Sequence, residues 1–163
     1  MDNPFHSGQF IVYPSHGVGH VVGVERYTVN GREASMLIIS FAKDRMTLRI
    51  PMEKVLSSNI RPLSSGNEIG KALAFLKKPA KIKKISWSKK VHEYEEKLHS
   101  GDLMAIAEII RALYHGVCMD GASYSETQMY YMAMERFITE YALVENINED
   151  VAHKNVEALL SVA

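Results

Sequence analysis

Arg61-Pro62-Leu63-Ser64-Ser65-Gly66 marks the point at which the hydrophobic period of the chain changes. Before it, apolar residues recur at every second position or in short runs; after it, they recur every three or four. Proline, serine and glycine in such density interrupt regular elements, so a boundary is expected here. The chain divides on this reading into a domain over residues 1–62 and a second over 63–163.

The N-terminal side reads as β structure. Residues 9–13 form a short strand ended by Pro14, and 18–28 a longer, valine-rich one. Asn30-Gly31 supplies the two positive-φ residues that a tight hairpin turn needs. Residues 36–41 are continuously apolar, as in a strand covered on both sides. Lys43-Asp44 turns the chain into 45–50, where Met46, Leu48 and Ile50 share one face and Arg45, Thr47 and Arg49 the other. Pro51 closes that strand. Short strands joined by tight turns predict a small curled sheet or barrel.

The C-terminal side reads as an all-α bundle of about five helices. Asn67 is positioned to cap a first helix bearing Ile69, Ala72, Leu73 and Leu76, which Pro79 stops. Ser86 opens a second, with Val91, Tyr94 and Leu98 on one face. Gly101-Asp102 opens a third, with Leu103, Ile106, Ile109, Ile110 and Leu113 at core spacing, ending near Gly116. Ser123 and Glu126 form a capping box for a fourth, in which Met129, Met132, Ala133, Phe137 and Tyr141 are expected to face inward. A fifth begins near Asn148, with Val151, Val156, Leu159 and Leu160. The fold class is therefore α+β in two domains.

Composition excludes some classes and favours others. The 163 residues are 47% hydrophobic and 23% charged, ordinary for a globular chain. No apolar run approaches the roughly 20 residues that span a bilayer, and the first residues lack the pattern of a signal peptide. The lone Cys118, expected in a short interhelical loop, has no partner for an internal disulfide. A cytoplasmic monomer without cofactor is the expectation. The zero net charge hides a segregation: residues 1–62 carry a net +2, 63–97 a net +5 and 98–163 a net −7. Eight lysines and no acid fall within 71–90, among them Lys83 and Lys84. Such a stretch is either a solvated linker or a surface for a polyphosphate.

Signals for catalysis are weak. His16 and His20 have the spacing of paired metal ligands on a helix, but Gly17, Gly19 and the valines beside them indicate turn and strand, and no zincin acid accompanies them. Gly17, Gly19 and Gly23 miss the dinucleotide fingerprint by one residue. The glutamates 93, 95 and 96 pair more naturally with neighbouring lysines on a helix. No enzyme and no metal site is expected. Trp87, the only tryptophan, stands at a helix start among Ser86, Ser88, Lys89 and Lys90. It has two readings: an indole that stacks on a base or wedges into a base step while lysines hold phosphates, or one packed under the first helix or against the β domain.

Four blocks, in order, resemble the CarD/CdnL family of bacterial transcription regulators: Phe10 through Tyr13-Pro14-Ser15-His16-Gly17 to Gly19, Leu48-Arg49-Ile50-Pro51, Trp87-Ser88-Lys89-Lys90, and Leu98-His99-Ser100-Gly101-Asp102-Leu103. The first is also similar to the polymerase-binding module of transcription-repair coupling factors. The resemblance implies a Tudor-like (SH3-like) β-barrel that docks on the β subunit of RNA polymerase, and a helical domain that contacts promoter DNA at the upstream edge of the bubble, largely without regard to sequence. It implies that Arg49, beside Arg45 and Thr47, contacts polymerase. A second basic contact falls on Tyr27, with Arg26 next to it. Trp87 matches the family's wedge at the minor groove of the fork junction, Lys89 and Lys90 its DNA-contacting basic residues, and His92 a further basic position. The function so implied is stabilisation of the open promoter complex, in a protein associated with the nucleoid through polymerase. The alternative is an adaptor that binds polymerase and uses the acidic helical half for another protein contact, without wedging DNA.

Overall fold

The computed structural model describes residues 4–79, 86–119 and 121–162. The chain forms two compact units, Met1–Leu63 and Ser64–Ala163.

The first unit is an antiparallel sheet of β1 (Phe10–Tyr13), β2 (Gly17–Val29), β3 (Arg32–Phe41), β4 (Met46–Pro51) and β5 (Arg61–Pro62), in the order β4-β3-β2-β1-β5. Asn30 and Gly31 take φ of 51° and 77°, so β2 and β3 pair right down to the turn and β3 begins at Arg32, four residues before its apolar run. Ile11, Val21, Leu37, Ile39, Phe41 and Ile50 form one buried face, which Val55 of the short helix α1 (Met52–Val55) joins. A Cβ on Gly19 would stand 2.7 Å from both Ile39 and Phe41, so only glycine fits where β2 crosses these side chains.

The expected barrel is not what forms: the sheet stays open. β4 and β5 end the strand order and share no pairing among the described residues. β5 is two residues long and Pro62 has no N–H to donate, which leaves little edge with which to close.

The second unit holds five helices among the described residues: α2 (Gly66–Leu76), α3 (Trp87–Ser100), α4 (Leu103–Cys118), α5 (Tyr124–Glu145) and α6 (Glu149–Val162). Ser65, not Asn67, caps α2, because the Ser65 hydroxyl and the Glu68 carboxylate satisfy each other's backbone N–H groups. The same box, Ser123 with Glu126, starts α5. The Ser100-Gly101-Asp102 block is a joint: Gly101 ends α3 with φ of 71°, and the Asp102 carboxylate accepts the Ala105 N–H to start α4. Cys118 is the exposed last residue of α4 rather than a loop residue.

The core of this unit gathers Ile69, Leu76, Leu98, Ile109, Ile110, Phe137 and Leu160 with their neighbours. α5 is buried on a wide arc from Met129 and Tyr130 to Tyr141, and Met132 lies outside that arc, exposed. In α6 the buried positions are Ala152, Val156 and Leu160, four apart, which leaves Val151 exposed. Two arginines serve the helix ends. Buried Arg111 donates from one Nη to the carbonyls of Leu76 at 3.0 Å and Leu160 at 3.2 Å, near the C-termini of α2 and α6. Arg136 does the same for Leu98 of α3 at 2.9 Å. Carbonyls there lack intrahelical donors and carry the negative end of the helix dipole, so a guanidinium meets both needs.

Candidate protein and nucleic-acid interfaces

In β4 the pleat turns Met46, Leu48 and Ile50 toward the core and leaves Thr47 and Arg49 exposed. Arg45 does not share their strand: it sits in the turn with φ of 50°, so it flanks the face without belonging to its alternation. Register then assigns the neighbours of Arg49. Ile38 of β3 lies opposite it, and Ile38 is opposite Gly23 of β2. Counting by twos along β2 from Gly23 brings Glu25 and Tyr27 to the same face and turns Arg26 to the other. Glu25 takes up the adjacent position as an ion pair, its carboxylate 3.6 Å from Nε of Arg49, with both side chains about half exposed. A pair so exposed holds Arg49 only weakly. Alternation in the sequence put Arg49 on the exposed face, but Glu25 carried no local signal, because its place beside Arg49 depends on the register across two strand pairs.

The turn that follows β1 explains its motif. His16 donates its N–H to the Tyr13 carbonyl at 3.1 Å and stacks on the Tyr13 ring at 5.4 Å. His20 lies instead against Phe10 at 5.5 Å. The two histidines thus serve separate aromatic contacts, and among the described residues no three His, Cys, Asp or Glu side chains are grouped to hold a metal.

At the start of α3, Trp87 is neither free nor fully buried. One side packs on the helical core, its ring stacks on Tyr94 with centroids 5.6 Å apart, and its Nε1–H donates to Oγ of Ser125 on α5 at 3.2 Å. The indole is therefore built into the bundle and still partly exposed. Tyr94 is two helical turns along the same face, and burial raises the pKa of its phenol, so it stays neutral. Tyr94 was visible in the sequence as a core-facing position; Ser125, 38 residues away, carried no local signal.

The charges on α3 divide by function. Lys89 is exposed with no ion-pair partner among the described residues, and His92 is exposed beside Glu95 at 3.8 Å. Lys90 is half-buried. Lys97 is held internally by Glu108 at 2.7 Å and Glu93 at 3.3 Å; burial opposes its charge, but those two hydrogen bonds prevail and raise its pKa. Lys71, Lys77 and Lys78 of the same basic region are exposed on or after α2. Lys83 and Lys84 lie outside the described residues. No helix described is long and apolar enough to cross a membrane.

One unit thus presents a charged strand face and the other an aromatic, basic helix start. Residues 5–64 match the model of the CarD-like/TRCF RID domain, and residues 71–157 match that of the CarD C-terminal domain. The chain belongs to the CarD family and is a transcription regulator. It is 27% identical over 145 residues to the Bacillus subtilis protein named "Putative transcription factor YdeB", covering 89% of this chain and 95% of that one.

Proposed function

We propose that the chain docks on the β subunit of RNA polymerase through the β4 face and contacts promoter DNA at the upstream edge of the bubble through the start of α3, stabilising the open complex. The observation that carries this reading is the state of Trp87: braced by Tyr94 and Ser125, partly exposed, and next to Lys89, which has no ion-pair partner among the described residues. An indole braced in this way loses little freedom when it enters a base step, so stacking there is not offset by the ordering of a loose side chain. Lys89, with Lys90 and His92 nearby, supplies attraction to phosphates that does not depend on sequence. On the β unit, Arg49 with Thr47 and Tyr27 forms the docking face, and Arg45 flanks it.

The mechanism is differential binding. Promoter opening is reversible, and a factor that binds the open form more tightly than the closed one shifts the balance by that difference. A preference of about 1.4 kcal/mol shifts the ratio about tenfold. Docking through the β unit holds the α3 start near the fork, so each contact alone need only be weak.

Trp87→Ala tests the reading. The variant is expected to bind polymerase normally while the open-complex lifetime falls several-fold or more, the loss of about 1–3 kcal/mol of stacking. Because the indole is partly packed, melting should also fall, by less than the roughly 3–5 kcal/mol of a full core truncation. An unchanged lifetime in the folded variant would defeat the wedge. It would favour the second reading, a polymerase adaptor whose acidic helical half binds another protein. That reading has its own support: in residues 98–163, at net −7, two of the three basic residues besides histidine, Arg111 and Arg136, are committed to helix ends.

A further inference from the structure

Gly70 sits in the middle of α2, where glycine is a poorer helix former than alanine. Its φ is not left-handed, and a Cβ placed there would meet nothing within 4 Å. Neither backbone conformation nor packing among the described residues therefore explains a glycine at this position. At about 100° per residue, Gly70 shares an arc of about 120° with Asn67, Lys71, Ala74 and Lys77, all exposed. That arc lies opposite Ile69, Ala72 and Leu76, the buried positions of the helix.

The arc is basic and has no apolar centre. Lys71 and Lys77, with Lys78 just after them, are exposed and have no ion-pair partner among the described residues. Glu68, the only acid of α2, lies off the arc in the capping box. Glu145 of α5 reaches the helix at its other end, 3.8 Å from a Cβ placed on Gly66. A carboxylate there suits the N-terminal end of the helix dipole. Lys77 and Lys78 likewise suit the C-terminus, but Lys71, in mid-helix, has no such role. Among the described residues, none of the exposed large apolar side chains belongs to α2. A protein partner would find no apolar core for an interface here, whereas interfaces with DNA are polar and positively charged.

We propose that the outward face of α2 is a second DNA surface, on which Lys71, Lys77 and Lys78 bind the phosphate backbone of a duplex while Gly70 and Ala74 let that backbone come close. The inference rests on the reading of the chain as a DNA-binding regulator, and not on the wedge at Trp87. Lys71 and Lys77 are about 9 Å apart along the helix axis, and one strand of a duplex carries a charge about every 3.4 Å. The three lysines thus match the charge of about three phosphates. The small residues between them keep the helix surface low, so nothing there holds the backbone away from the ammonium groups. Both α2 and α3 pack on α4, so the two DNA surfaces belong to one helical framework. Contacts of this kind carry no sequence information.

The test is the anisotropy of a fluorescent blunt duplex titrated with the full chain at several salt concentrations. The triple variant Lys71→Gln/Lys77→Gln/Lys78→Gln should bind about ten-fold or more weakly at low salt, with the slope of log affinity against log salt reduced by about two to three. Glutamine forms helix about as well as lysine, so this variant should melt as the parent does. A control, Lys43→Gln/Lys54→Gln/Lys154→Gln, removes the same charge from exposed positions elsewhere and should keep the wild-type slope. Gly70→Glu sets an acid between the lysines and should weaken binding several-fold. It should not lower the melting temperature, since a side chain there meets open space. An α2 triple variant with wild-type affinity and slope refutes the surface; if Lys89→Ala is weakened in the same assay, the α3 contact stands alone. If Trp87→Ala and Lys89→Ala both bind as wild type while the α2 variant does not, the α3 reading fails and the α2 surface stands. An equal loss in the control would reduce the effect to net charge and overturn the proposal. So would a loss of polyglutamate binding with duplex binding unchanged, which would assign the patch to an acidic protein.

Discussion

The two units use arginine in opposite ways. In the sheet unit, Arg49 stands outside the fold, half exposed and only lightly held by Glu25. In the helical unit, Arg111 is buried and bonded to two helix ends, and Arg136 to a third. The difference follows from where each kind of backbone leaves polar groups unmet. Strands satisfy one another sideways along the ladder, so a guanidinium is not needed within the sheet. Helices leave their last carbonyls open, and where five of them pack closely these groups come indoors. The chemistry of a side chain thus decides less than the backbone around it: the same residue type is an exposed surface charge in one unit and a structural clamp in the other.

The largest effect expected from this contrast is on stability. Arg111→Ala removes the donor to two buried carbonyls and leaves a cavity, and should cost roughly 3 kcal/mol. Hydrogen exchange should rise at the ends of α2 and α6 while amides of the sheet unit keep their protection. A variant that melts with the parent would show that the clamp holds nothing. Arg49→Glu should do the reverse. It sets a second carboxylate beside Glu25, yet on an exposed strand face it should barely change the melting temperature, while polymerase affinity falls roughly tenfold, about 1.4 kcal/mol. Equal affinity of mutant and wild type would remove Arg49 from the docking face. The smallest effect belongs to Lys89→Ala: DNA binding a few-fold weaker on every sequence, with the slope of log affinity against log salt reduced by about one. A sequence-selective loss, or an unchanged slope, would mean that Lys89 does not meet a phosphate.

What the sequence made legible follows the same division. Period-two alternation placed Thr47 and Arg49 outside and Met46, Leu48 and Ile50 inside, because strand geometry is local and regular. It failed at Arg45, where a left-handed turn residue interrupts the pattern, and it could not tell which neighbouring strand positions share the face, since register is a matter of pairing. Openness of the sheet was equally hidden, because closure depends on whether two strands distant in the chain find each other. Among the helices, Leu103, Ile106, Ile109, Ile110 and Leu113 were all correctly inward. Met132 and Val151 were not: Met132 falls about 60° outside the buried arc of α5, and in α6 the buried stripe is narrow, with Val151 about 100° from its nearest member, Ala152. The double character of Trp87 was out of reach for a different reason. Its partners lie 7 and 38 residues away, one on the same helix and one across the bundle.

The clamp at Arg111 has a consequence for the order in which the protein can be made. Every pairing of the sheet falls within the first 62 residues, so that unit can close while the rest of the chain is still being synthesised. α2 comes next off the ribosome but lacks one partner of its clamp, the carbonyl of Leu160, until almost a hundred residues later. At the usual 5–20 residues per second that is a wait of roughly 5–20 seconds. During it α2 lacks α6, the last of the helices that pack on it, although the β unit has already folded. The sheet unit can thus be folded before the helical unit, and the last turn of α6 is what completes the clamp.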